Sequence, residues 1–158
     1  MRTRQKGFSL IELLIVVAII LIIAAIAIPN LLRSRMAANE ASAVGSIRTL
    51  NTSAVTYSST YPATGYPPTL ASMGGANPCT ALPATACLID QVLALGSKSG
   101  YTFTWASDGN TPSVGYSVNA NPISIGTSGQ RAFFSDQSGV IRYQVTGAVA
   151  TVGDPPLQ

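Results

Sequence analysis

Histidine is missing from all 158 residues, which removes the usual general base and the commonest zinc ligand. Acids are few. Beyond Glu12 they stand singly at Glu40, Asp90, Asp108, Asp136 and Asp154, so neither a carboxylate pair nor a cluster of oxygen ligands for a hard cation is visible. Asp108 and Asp136 lie in Ser107-Asp108-Gly109-Asn110 and Asp136-Gln137-Ser138-Gly139, which read as turns. Cysteine is scarce too. Cys79 and Cys87 fit neither a CxxC redox motif nor paired zinc-ligand couples, and neither has a neighbouring base. The many serines and threonines read as strand, turn and surface residues rather than nucleophiles. No catalytic residue, metal ligand or cofactor is therefore expected. The balance of nine basic to six acidic residues falls to six against six without Arg2, Arg4 and Lys6. No Lys/Arg cluster remains to neutralise a run of phosphates, and nucleic-acid binding is not supported by charge.

One long apolar run is present. Leu13 to Ile28 is uninterrupted, and from Phe8 to Leu32 the only charge is Glu12. As a helix at about 1.5 Å per residue this stretch reaches roughly 37 Å, enough for a hydrocarbon core of about 30 Å. A carboxylate in such a helix costs roughly 2.5–3.5 kcal/mol on insertion scales, so Glu12 demands an explanation. A secretory signal peptide with Ala25-Ile26-Ala27 as its cut would have a shorter apolar core and no use for the carboxylate. A plain membrane anchor accounts for the length but not for Glu12.

Arg2, Arg4 and Lys6 before the run face Arg33 and Arg35 after it, a weak positive-inside bias. For Cys79 and Cys87 the simplest use is a local disulfide in an oxidising compartment, with two free buried thiols as the alternative. A disulfide would place the chain after Leu32 outside the cytoplasm.

Pro29 removes a backbone donor and should kink or locally open the helix. Beyond it, Met36, Val44, Ile47, Leu50, Ala54 and Val55 recur near three- and four-residue spacings, while Arg33, Asn39, Glu40, Ser46 and Arg48 take other positions. This predicts an amphipathic continuation to about Ser59, with Gly45 as a helix-packing accommodation. Residues 60–100 are rich in Pro, Gly, Ala and Thr, with Tyr57, Tyr61 and Tyr66 expected to pack against the helix. Short helical turns are expected at Pro68–Met73 and at Leu88–Leu95, the latter stopped by Gly96. Alternation then begins with Tyr101, Phe103 and Trp105, continues through Tyr116, Val118 and Phe133, and ends in a hairpin pairing 131–135 with 140–145. The fold class is α+β: a long N-terminal helix packed on a small antiparallel sheet of about four strands. The length allows one domain beyond the membrane helix.

Lys6-Gly7-Phe8-Ser9-Leu10-Ile11-Glu12 followed by an apolar helix resembles the class III signal of type IV prepilins and pseudopilins. The specific match covers residues 6 to about 35; the remainder resembles the pilin fold by layout. The resemblance implies a leader at 1–7, cleavage between Gly7 and Phe8 by a prepilin peptidase, and N-methylation of Phe8. It further implies a helix at 8–59 with its transmembrane half at 8–32, a connecting region at 60–100 containing the cysteines, and a sheet and tail at 101–158. Function would be structural and non-enzymatic. The subunit would be held in membrane lipid as a single-pass protein of the bacterial inner membrane with a periplasmic C-terminal domain. An inner-membrane assembly platform would then extract it into a homo-oligomeric helical filament, an extracellular pilus. The alternative is a major pseudopilin of a type II secretion system, in a periplasmic pseudopilus. Glu12 and Pro29 are the expected assembly residues, and a filament could gather Arg131 and Arg142 into a stripe. Such proteins typically close their C-terminal region with a disulfide or bound calcium. Here the cysteines precede the strands, which leaves open how Thr146 to Gln158 is held.

Overall fold

Leu10 to Thr60 forms one 51-residue helix, α1, in spite of the two residues within it that oppose helix, Pro29 and Gly45. The computed structural model describes residues 8–76 and 78–157, so Gly7 and the rest of the expected leader lie outside the described residues. Around Pro29 the neighbouring side chains add bonds to the ladder: Asn30 Nδ2 donates to the Ile26 carbonyl at 3.1 Å and Ser34 Oγ to the Asn30 carbonyl at 3.0 Å. Gly45 corrects the packing expectation. Nothing lies within 4 Å of where its Cβ would stand, so no neighbouring element requires a glycine there.

The chain divides into two compact units that share α1, one ending at Arg35 and one beginning at Met36. In the first, the apolar residues stay exposed, Ile11 at 66% and Ile22 at 63% among them. By length and composition this is the part of the described chain that can cross a membrane.

The second unit is a helix on a sheet. Residues Ala43, Ile47, Leu50, Ala54 and Tyr57 of α1, spaced by three and four, are fully buried. They meet Tyr101, Phe103, Tyr116, Val118, Ala120 and Phe133 in a single core. Five strands run β1 (Ser97–Lys98), β2 (Tyr101–Ser107), β3 (Tyr116–Pro122), β4 (Ala132–Asp136) and β5 (Arg142–Gln144), in that order across the sheet and all antiparallel. The strand beyond the expected four is β1, which is two residues long and carries no alternation to betray it. Two short helices, α2 (Leu70–Met73) and α3 (Gln91–Ala94), lie in the connection, capped by Thr69 and Asp90.

Buried aromatic hydroxyls and the indole find partners, as the cost of an unpaired polar group requires. Tyr57 donates to the Pro83 carbonyl (2.6 Å), Tyr101 to the Arg131 carbonyl (2.8 Å), Tyr116 to Asn51 Oδ1 (3.1 Å) and Trp105 Nε1 to the Pro67 carbonyl (2.8 Å). Tyr66 packs edge-on against Tyr116 and Tyr61 against Tyr57.

The tail is held by backbone pairing. Tyr143 donates its N–H to the Pro155 carbonyl at 3.1 Å, Leu157 to the Ile141 carbonyl at 2.7 Å, and Arg142 Nη1 to the Asp154 carbonyl at 2.9 Å. Residues 155–157 thus lie antiparallel beside β5, with Arg142 opposite Pro156.

Candidate processing and assembly site

Ser9, Leu10, Ile11 and Glu12 have the S-x-x-E spacing of a capping box, and the helix begins accordingly. Leu13 donates its N–H to the Ser9 carbonyl at 3.2 Å, and Glu12 Oε2 accepts the Ser9 N–H at 2.9 Å. Glu12 therefore has a local use that sequence reasoning missed, although its spacing from Ser9 was the available signal. A carboxylate in the first turn is also favoured by the helix dipole, by about 0.3–1 kcal/mol. An N–H dipole satisfies one oxygen but leaves the negative charge in place. Phe8 is 74% exposed at the start of this segment, and Pro29 lies 17 positions beyond Glu12 in the same helix. Through the Ser9 N–H the structure places Glu12 beside the Phe8–Ser9 peptide, while Pro29 lies far along the helix from both.

Cys79 and Cys87 form a disulfide with a Cα–Cα distance of 6.1 Å. The loop it closes is fastened to α2 by backbone bonds from Ala86 to Ser72 (2.8 Å), Cys87 to Gly74 (3.1 Å) and Leu88 to Met73 (2.8 Å). A Cβ on Gly75 would collide with Cys79 Sγ, so the bridge packs where only a glycine leaves room.

A second feature escaped the helical spacing argument. Glu40, assigned there to the polar positions, is 8% exposed. Its Oε1 accepts the Gln130 and Arg131 backbone N–H groups at 2.9 and 3.1 Å, and its Oε2 accepts Arg131 Nε at 2.7 Å. Burial alone would raise its pKa, but these donors and the guanidinium charge outweigh it and hold the carboxyl below its ordinary value. The partners lie some ninety residues away, so no local pattern could have announced them. Asp90 is held low chiefly by Lys98 at 2.8 Å. Asp108 is held low by Ser113, then by Val114 and Asn110, within its turn.

The family described as the prokaryotic N-terminal methylation motif matches residues 2–28. The chain carries a type IV pilin-like signal. That signal heads a stretch of 35 residues that is 69% identical to the type IV wide pilus major component of Thermus thermophilus. The alignment covers 22% of this chain and 27% of that relative, so the likeness lies in the N-terminal segment. No solved structure matches the chain.

Proposed function

We propose that this protein is the structural subunit of a type IV pilus filament, made as a prepilin and assembled from the inner membrane. The observation that carries the reading is a type IV pilin-like signal leading into an exposed apolar helix with one carboxylate, Glu12, in its first turn. Prepilin peptidase would cut between Gly7 and Phe8 and methylate the new amine. The α1 segment up to Leu32 would hold the subunit in lipid, with the disulfide-bonded unit on the periplasmic side, where Cys79–Cys87 is stable. The pilus is preferred to the secretion pseudopilus because the matched relative is a wide pilus component.

Assembly chemistry follows from the charge that the Ser9 cap leaves uncompensated. In a filament the Phe8 amine of a neighbouring copy supplies an ammonium to Glu12, so both charges are matched only in the correct register. Pro29, whose ring already deletes one ladder bond, is where the helix loosens as subunits leave the bilayer.

The test is a strain carrying only Glu12→Leu, examined for surface fibres beside the wild type. Wild-type fibres should contain a chain starting at methylated Phe8 by intact mass, with backbone opened between Ala25 and Arg33 in a filament map. The variant should insert and fold but build no fibres. Retention of Met1 in fibres, or normal fibre yield from Glu12→Leu, would sink the reading.

A further inference from the structure

Beside Arg131 lies a cleft of about 390 Å³, lined by Arg131, Tyr143, Pro155, Pro156 and Leu157. We propose that it binds a small carboxylate carried on an apolar body, a role independent of filament formation.

The guanidinium is fixed before any ligand arrives. Its Nε is bonded to Glu40 Oε2, and its Cζ lies 5.6 Å from the Phe133 ring centroid and 5.7 Å from that of Tyr143. Among the described residues the Arg131 side chain is hydrogen-bonded through Nε alone, and neither its Nη groups nor the Tyr143 hydroxyl has a protein partner. Arg131 keeps 37% of its side chain exposed. A planar fork with its Nη edge open takes a carboxylate through two parallel hydrogen bonds, a geometry that an ammonium cannot reproduce. The prolines and Leu157 offer an apolar patch for the body of the ligand in a cleft whose lining is otherwise mainly polar.

A free small molecule is proposed rather than a side chain of a second copy's head, because the carboxylates there already accept hydrogen bonds within their own chain. Every described carboxylate there is already engaged: Glu40 by residues 130 and 131, Asp90 by Lys98 and Leu93, Asp108 by Asn110, Ser113 and Val114, Asp136 by Ser138, and Asp154 by Gln144 and Thr151. Glu40 also cancels the formal charge of Arg131. Recognition therefore rests on directed hydrogen bonds and shape rather than on a net positive field.

Benzoate is the probe, with benzamide as its neutral isostere, titrated into the full-length chain in a non-ionic detergent and followed by ¹⁵N NMR. Benzoate should move the Tyr143, Leu157 and Arg131 side-chain resonances saturably, and benzamide should not. Arg131→Lys should weaken binding about tenfold or more. Leu157→Glu, which keeps the backbone bond to Ile141 and places a carboxylate within the cleft, should abolish it; this second variant decides the matter if Arg131→Lys does not fold. Equal shifts from benzoate and benzamide, no saturation at these residues, or undiminished binding to Leu157→Glu would overturn the assignment.

Discussion

The two halves of α1 are one element by backbone and two by environment. Up to Arg35 the helix exposes its apolar side chains on every face, whereas from Met36 it buries a stripe three and four residues apart against a sheet. Helix is retained in both for different reasons. In lipid an unpaired backbone group has no substitute partner, so an apolar segment closes its own hydrogen bonds. In the second half the stripe at Ile47, Leu50, Ala54 and Tyr57 provides the stability, and it is lost with the tertiary core. Mutations should therefore act on separate properties in the two halves.

The largest expected contrast in stability is between two leucines. Leu50→Ala should cost the sheet-bearing unit about 2–5 kcal/mol, while Leu21→Ala should leave that unit's unfolding free energy, read from denaturant titration, within about 0.5 kcal/mol of the wild type. Equal losses would show that the halves unfold as one. Reducing Cys79–Cys87 comes next, at about 2.5 kcal/mol for so short a loop. Hydrogen exchange should then rise around residues 72–89 and stay unchanged in the apolar half.

Acid should act through Glu40. Its folded pKa is lowered, so its contribution is complete above the unfolded value near 4.5 and disappears as the pH falls through the lower folded value. Glu40→Gln should cost about 1–2 kcal/mol at neutral pH, discounted because Arg131 is partly exposed, and should flatten the stability curve below pH 4.5. Asp90 and Asp108 carry the same sign, so some acid dependence should remain. An unchanged curve in the variant would remove Glu40 from the account. The smallest effect is expected at Val55, apolar but 53% exposed: Val55→Ala should change stability by less than about 0.5 kcal/mol in denaturant unfolding.

Features that depend on local spacing were legible before any coordinates. The signal residues, the three- and four-residue stripe and the turn at Asp136–Gly139 between β4 and β5 each carry their cause within a few positions. Val55 and Glu40 show where that logic stops. A 3.6-residue period tells which side chains share a face but not how wide the covered stripe is, and it counts every acid as outward-facing. Glu40 is inward because two backbone N–H groups and a guanidinium from the end of the β3–β4 connection converge on it. The tail was illegible for another reason. Its pairing with β5 consists largely of main-chain bonds, aided by the Arg142 and Gln144 side chains at Asp154, and its two prolines argue against strand in any reading of residue types.

Those prolines have a consequence for life at high local concentration in a membrane. An uncovered sheet edge offers a row of free donors and acceptors on which a second molecule can add its own strand, the first step toward aggregates. Beyond β5 the outermost backbone contains Pro155 and Pro156, which have no N–H to offer, while β1 at the opposite side is only two residues long. Among the described residues both edges of the sheet are thus poor templates for edge-to-edge pairing between crowded molecules.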